Sequence, residues 1–167
     1  IPGNRGPHGL SDGGDGADGA IAEAFLMLRA NLRYFNVDGD VRSILITSAA
    51  PQEGKTTVSL NLARAEAGAR KRVLLIEADL RRPTVAREFG MATKTGGLAR
   101  VLTGQLSPAK AIASKFGVHV IVAGALPPNP AELLESDRMR KLIRWGEEQY
   151  DLVIVDTPPT AVLADAV

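Results

Sequence analysis

Four short and almost unbroken apolar runs constrain this chain most: SILITS (43–48), VLLIEA (73–78), VHVIVAG (118–124) and LVIVD (152–156). Each is rich in Val, Ile or Leu and lacks the polar alternation of a half-exposed strand, which is the pattern of a strand covered on both faces. Helical spacing fills 56–69 and 137–149, with a broken helical region over 83–113. Strands that alternate with helices make βαβ units, because parallel neighbours need a crossover long enough to hold a helix. The pattern therefore predicts an α/β domain with a mainly parallel sheet flanked by helices.

Upstream, Phe25, Leu28, Leu32 and Phe35 recur at helical spacing and predict an amphipathic helix ending near Asn36. Two further helix starts are marked by Ser107-Pro108 and Asn129-Pro130, each a capping side chain before a proline, with Glu132 as capping-box partner of Asn129. Residues 1–20 are rich in Gly and Asp and poor in large apolar side chains, so they are expected to form a flexible tether. Residues 21–167 are then the folded domain. The last apolar run lies close to Val167 with no closing helix after it, so the domain is expected to continue beyond this sequence.

Composition removes several function classes. The chain has no cysteine, which excludes a disulfide scaffold, a thiolate nucleophile and a Cys-ligated metal site. Only His8 and His119 are present, too far apart in sequence for an obvious metal cluster. Lys+Arg 20 against Asp+Glu 19 leaves a formal charge of +1, without the basic excess of a nucleic-acid binder. No apolar run approaches the length of a membrane span, and no signal peptide is visible.

The loop after the first apolar run reads SAAPQEGKTT (48–57). GKT alone is common in surface turns, but here it stands between a predicted strand and a predicted helix, where a phosphate cradle belongs. Amide groups from Glu53 to Thr57 can point at phosphate oxygens, and the helix start adds a partial positive charge. Gly54 allows close backbone approach, Lys55 brings a point charge for the β- and γ-phosphates, and the Thr56 hydroxyl suits Mg²⁺. Ala49 occupies the position of the first Gly in the G-x4-G-K-[ST] pattern.

Two strand ends carry acids. The second run ends in Glu77 and Asp79, the fourth in Asp156 followed by Thr157-Pro158-Pro159. Aspartate is common in turns. Two acidic strand tips together with a phosphate loop, however, mark the crevice at the carboxyl ends of parallel strands where ligands bind. Asp156 is placed to hold Mg²⁺, and Glu77 or Asp79 to complete the metal shell or take a proton from an attacking hydroxyl.

The order EGKTT, LLIEADLRRP, VIVDTPP resembles the Walker A, Walker A′ and Walker B motifs of the bacterial protein-tyrosine kinases, the cytoplasmic kinase domains of capsular and exopolysaccharide assembly. EAFLMLRANLRY (23–34), GGLARVLTGQ (96–105) and GALPPNPAELLESDRM (124–139) extend the resemblance over residues 21–167. It implies a P-loop fold related to the MinD/ParA ATPases and an ATP- and Mg²⁺-dependent enzyme that phosphorylates tyrosines of other proteins and of itself. Carried over by position, Lys55, Asp79, Glu77 and Asp156 are the catalytic set; Glu53, Gly54, Lys55, Thr56 and Thr57 bind the nucleotide; Thr56, Asp79 and Asp156 hold the metal. Asp79 is the Walker A′ acid that deprotonates the attacking tyrosine, and Arg81 to Pro83 continue that signature. The implied partners are a membrane-spanning chain-length-determinant domain or adaptor and further copies of the chain, at the inner face of the cell membrane.

The sequence departs from the family in several places. Glu77 stands where the first Walker A′ aspartate is usual, and its extra methylene is expected to disturb the metal shell. In the self-association motif E-x2-R-x2-R, Glu23 and Arg29 remain but Leu26 replaces the middle Arg. Glu66 replaces a Leu of the P-loop helix, and Arg70 the Gly that ends it, so Gly68 is expected to end the helix instead. Tyr34 and Tyr150 are isolated, and no tyrosine cluster is present. Two rival functions share these motifs: an ATP-binding chain-length regulator without kinase activity, and a MinD/ParA-like ATPase. The second usually has a signature Lys at the position of Ala50. The basic run Arg138, Arg140, Lys141, Arg144 reads as the solvated face of a helix with Met139, Leu142 and Ile143 inward, and Trp145 and His119 as packing residues.

Overall fold

Three of the four apolar runs become central strands, whereas SILITS, expected to be covered on both faces, forms an edge strand with Leu45 exposed. In the computed structural model, which describes residues 14–34, 41–91 and 96–160, the strands are β1 (Ser43–Ile46), β2 (Val73–Glu77), β3 (Ala113–Lys115), β4 (Val118–Ile121) and β5 (Leu152–Asp156). They form one sheet in the order β1-β5-β2-β4-β3. β1, β5, β2 and β4 run parallel, and β3 pairs antiparallel with β4. β2 and β5 are buried at every position, as their unbroken apolar character requires.

The helices are α1 (Gly14–Tyr34), α2 (Lys55–Gly68), α3 (Val85–Glu88), α4 (Leu98–Leu102), α5 (Pro108–Ala111), α6 (Pro130–Glu135) and α7 (Asp137–Gln149). Side chains alternate across the sheet, so β2 feeds two cores. Val73 and Leu75 meet Leu60, Leu62 and Ala63 of α2 on one face. Leu74 and Ile76 meet Leu98, Leu102, Met139 and Leu142 of α4 and α7 on the other. Half-buried Phe25, Leu28 and Leu32 seat α1 on the α2 side, and Arg29 Nη1 donates to the Ala65 carbonyl at 3.4 Å. This is the mainly parallel sheet flanked by helices that the sequence predicts, here with helices on both faces.

Several local expectations are corrected. The region 83–113 does not run on as helix to its end: Ala113–Lys115 forms β3, joined to β4 through Phe116 and Gly117, both at positive φ (52° and 76°). A two-residue hairpin with both φ values positive normally signals itself by Asn-Gly or Asp-Gly, and Phe-Gly gives no such signal. The Ser107 and Asn129 side chains do not cap their helices. Asn129 Nδ2 instead donates to Glu132 Oε2 at 2.7 Å, and the side-chain cap is at Ser136, whose Oγ accepts from Met139 N at 3.3 Å. α1 starts at Gly14, inside the stretch expected as a tether. The rest of that stretch, the predicted helix end at Phe35 and Asn36, and the stretch after Thr160 lie outside the described residues.

α2 ends at Gly68, but the left-handed residue that closes it is Arg70 (φ 64°), not Gly68. Arg70 N donates to Ala67 O at 2.9 Å and Lys71 N to Glu66 O at 3.3 Å, the paired bonds of a Schellman turn whose left-handed position normally holds glycine. Glu66 is buried, and Lys71 Nζ stands 2.9 Å from its Oε2, as an ion pair rather than an aligned hydrogen bond. The cost of burying Glu66 is thus offset by a cation that itself reaches solvent.

At the other end of the fold, Gly97 packs backbone to backbone against Gly124. A Cβ on Gly97 would lie 2.5 Å from Gly124 Cα. That contact lets Leu98 N reach Val122 O at 2.7 Å and ties the start of α4 to the strand end. The basic run on α7 is exposed, while Met139 and Leu142 are buried, as a solvated helix face requires. His119 Nδ1 and the Tyr150 hydroxyl are 2.8 Å apart, and Trp145 meets the Tyr150 ring edge-on, so both residues pack as expected.

Candidate functional site

The loop between β1 and α2 is shaped by its own side chains. Glu53 Oε2 accepts from Ala49 N at 2.9 Å and from Ala50 N at 3.1 Å, so Glu53 closes the loop through its carboxylate. Gln52 and Gly54 both take positive φ, 65° and 83°. Gly54 immediately precedes α2, and nothing stands within 4 Å of where its Cβ would be. The loop main chain is open to a ligand there, at a helix start whose first amides have no partner within the helix.

Lys55 and Thr56 open α2. Lys55 Nζ lies 3.2 Å from Asp79 Oδ2, both side chains being largely buried. Asp79 Oδ1 accepts from Arg82 N at 2.9 Å and Arg81 N at 3.3 Å, so the acid holds the turn after β2 while facing the lysine. Thr56 Oγ1 donates to Asp156 Oδ2 at 2.8 Å, and Ser59 Oγ to Asp156 Oδ1 at 3.0 Å. Thr84 Oγ1 donates to Thr56 Oγ1 at 3.1 Å. Burial pushes the Asp156 carboxyl above its ordinary range; the Thr56 and Ser59 hydroxyls and Lys55 oppose that shift.

These groups border a cavity of about 640 Å³ lined by Gly54, Lys55, Thr56, Thr57, Asp79 and the segment Arg81–Thr84, among others. That volume is within the usual range for ligand sites. Of the predicted residues, Gly54, Lys55, Thr56, Thr57 and Asp79 meet at its wall, and Asp156 lies directly behind Thr56.

Glu77 is different. The parallel register sets it beside Asp156, yet its Oε1 accepts from Val85 N at 2.6 Å and its Oε2 from Ala123 N at 2.8 Å. It is fully buried, and that burial raises its carboxyl above the ordinary range against the pull of those amides. The longer side chain brings the carboxylate to two main-chain amides. Glu77, expected in the catalytic set, fastens the start of α3 and the segment after β4 to β2 through these two amides. Sequence reasoning missed Ser59 and Thr84. Ser59 had a signal, standing four residues after Lys55 on the same helix face, whereas Thr84 is brought in by the turn after Asp79 and had none.

The donor set fits Mg²⁺. This ion takes oxygen ligands, typically one or two carboxylates with substrate phosphates and water, and the carboxylates of Asp79 and Asp156 with the Thr56 hydroxyl are of that kind. Among the described residues no group of three or more His, Cys, Asp or Glu that could hold a metal ion is present.

A family model described as an AAA domain matches residues 42–166. The tyrosine-protein kinase YwqD of Bacillus subtilis is 44% identical over 147 residues, covering 87% of this chain and 62% of its own length. The tyrosine-protein kinase Etk of Escherichia coli is 43% identical over 152 residues, covering 90% of this chain but 21% of its own length. The solved kinase domain of Etk superposes with a TM-score of 0.81 at 41% identity, over 87% of this chain and 57% of that domain. The septum site-determining protein MinD of Pyrococcus horikoshii, solved with Mg-ADP, superposes with a TM-score of 0.62 at 26% identity over 71% of this chain and 49% of that structure.

Proposed function

The chain belongs to the AAA-domain family and, within it, to the bacterial protein-tyrosine kinases, and from that premise we propose that it transfers the γ-phosphoryl group of ATP to tyrosine hydroxyls in the control of capsular or exopolysaccharide synthesis. The observation that carries this reading is the convergence of Lys55 on Asp79 (3.2 Å) and of Thr56 on Asp156 (2.8 Å) at the mouth of one cavity.

Phosphoryl transfer asks the protein mainly for positioning and charge. The α2 start and Lys55 hold the phosphates, and Lys55 exchanges its pairing with Asp79 for the incoming oxygens. A tyrosine hydroxyl ordinarily titrates near 10, so it must give up its proton to attack efficiently at neutral pH. Asp79 takes that proton on Oδ2, while Arg81 N and Arg82 N hold Oδ1 and fix the carboxylate plane. Thr56 and Asp156, with Asp79, hold Mg²⁺, which when bound neutralises charge on the phosphates. Glu77 stays outside the chemistry.

The chain spans less than two thirds of the relatives named above, so its place in the cell is part of the same proposal. It works at the cytoplasmic face of the membrane, joined to a membrane-spanning partner domain, and it self-associates. Among the described residues no helix is long and apolar enough to cross a membrane.

The test is phosphotyrosine formation with ATP and Mg²⁺, run beside Lys55→Met and Asp79→Asn, with nucleotide affinity measured on all three proteins. Phosphotyrosine from the unmodified chain alone supports the kinase. Tight nucleotide binding without any phosphotyrosine points to the chain-length regulator instead.

A further inference from the structure

The wall of the cavity beyond Asp79 is basic. Arg82 and Arg87 are exposed side chains that line it, with Arg81 between Asp79 and Arg82; Glu88 is the one acid of that wall, and Lys55 and Asp79 offset each other. This wall is built, not loose. Arg82 N is bonded to Asp79 Oδ1 at 2.9 Å, so Arg82 is tethered to the acid that faces the incoming hydroxyl. Arg87 sits on α3, whose first amide is gripped by Glu77 Oε1 at 2.6 Å and whose Val85 and Ala86 are buried, with Phe89 buried just after. The phosphate end of the cavity, at Gly54 to Thr57, already has its own cation and amides. The arginines lie on the segment that follows Asp79 and line the same cavity as exposed side chains that an acceptor can reach.

We propose that Arg82 and Arg87 select acceptor tyrosines flanked by acidic residues, by pairing with carboxylates on either side of the tyrosine. This rests on the kinase reading above and adds the substrate class to it. Guanidinium groups at a cavity rim fit the role: they stay charged, offer several donors to a carboxylate, and raise the encounter rate with an acidic peptide in a salt-dependent way.

The experiment compares three peptides with one central tyrosine flanked by Glu, Ala or Lys, on the unmodified chain, on Arg82→Ala/Arg87→Ala and on Arg82→Lys/Arg87→Lys. The expected result is a kcat/KM about tenfold higher for the Glu-flanked than for the Ala-flanked peptide. That preference should shrink with added salt, collapse to within about twofold in the alanine variant and largely persist in the lysine variant. Nucleotide affinity, measured on all three proteins, should be retained. Equal use of the Glu- and Ala-flanked peptides by the unmodified chain overturns the proposal, as does a preference that survives loss of both arginines. A fall in nucleotide affinity as large as the fall in peptide use overturns it too, because the arginines would then serve the nucleotide phosphates. If no peptide is phosphorylated at all, the kinase reading fails, and anisotropy of a labelled Glu-flanked peptide with Phe for Tyr decides the surface by itself. Binding that is lost in the alanine variant supports the acidic site, and absence of binding to the unmodified chain rejects it.

Discussion

Thr56 and Asp156, 100 positions apart in sequence, share a 2.8 Å hydrogen bond. It joins the residue after the loop lysine to the last residue of β5, and Ser59 occupies the other carboxylate oxygen at 3.0 Å. Asp156 is 1% exposed. A carboxylate buried there costs stability, and burial raises its protonation range against the opposing Thr56 and Ser59 hydroxyls and Lys55.

Asp156→Asn should therefore stabilise the nucleotide-free protein while removing the Mg²⁺ dependence of nucleotide binding. The hydroxyls around it can turn: Ser59 Oγ already lies 2.9 Å from Lys55 O, so it can give its proton there and accept from the new amide. The gain expected at pH 7 is read as a higher Tm than that of the parent protein. A raised carboxyl pKa means that the folded state binds the proton more tightly than the unfolded chain does. The wild-type penalty grows as pH rises from 3.8 through the folded pKa, and the advantage of the variant should shrink towards zero as pH falls to 3.8. Thermal scans across that range check the sign, and titrations with and without Mg²⁺ check the functional arm.

Glu77→Gln removes a buried carboxylate in the next strand, yet its effect should be opposite. The partners of Glu77 are main-chain amides of Val85 and Ala123 at 2.6 and 2.8 Å, which can only donate. A glutamine presents its NH₂ to one of them, donor against donor, at a cost of about 1–3 kcal/mol. Urea denaturation of Glu77→Gln beside Asp156→Asn should move the midpoints in opposite directions. A Glu77→Gln protein as stable as the parent would mean that the two amide bonds do not hold α3 to the sheet.

The sheet, the crossover helices and the P-loop were legible because each is written in contiguous sequence: unbroken apolar runs, helical spacing, and GKT between a strand and a helix. Lys55, Thr56, Asp79 and Asp156 followed because strand tips of a parallel sheet come to one edge. The role of Glu77 was not legible. Its partners lie 8 and 46 residues away, and only the three-dimensional path of the turn after β2 brings their amides to it. β3 was hidden for a different reason. It is a short edge strand of exposed and half-exposed residues, without the apolar signal on which strand assignment depends.

Arg70 is the residue of this fold whose replacement is most simply judged from backbone geometry. It holds the left-handed position of the turn that ends α2, with φ 64°, where a Cβ crowds the backbone and glycine carries no such penalty. The flanking bonds, Arg70 N to Ala67 O and Lys71 N to Glu66 O, are main-chain and would survive the change. Arg70→Gly should raise stability by roughly 1 kcal/mol after the extra flexibility of glycine in the unfolded chain is subtracted. The urea midpoint should rise with an unchanged m-value, because the compactness of neither state is altered.

Gly97→Ala tests the close backbone packing of Gly97 against Gly124. The added methyl group would stand 2.5 Å from Gly124 Cα, 2.6 Å from Gly124 N and 2.7 Å from Val122 O, all of them backbone atoms that cannot rotate away. Relief requires α4 to draw back from the strand end, which stretches the bonds from Leu98 N to Val122 O and from Ala99 N to Ala123 O. Leu98 and Leu102, buried on that face of the sheet, would move with it. Overpacking of this kind costs ~1–3 kcal/mol or more, and here lost hydrogen bonds add to it. The same strand end carries Ala123, the amide held by Glu77, so the displacement passes through Glu77 to α3 and the arginine wall. Gly97→Ala should lower Tm by several degrees. Combined with Glu77→Gln it should destabilise less than the sum of the two changes, because both loosen the same strand end. Independent, additive losses in a double-mutant cycle would show that α4 and α3 are anchored separately.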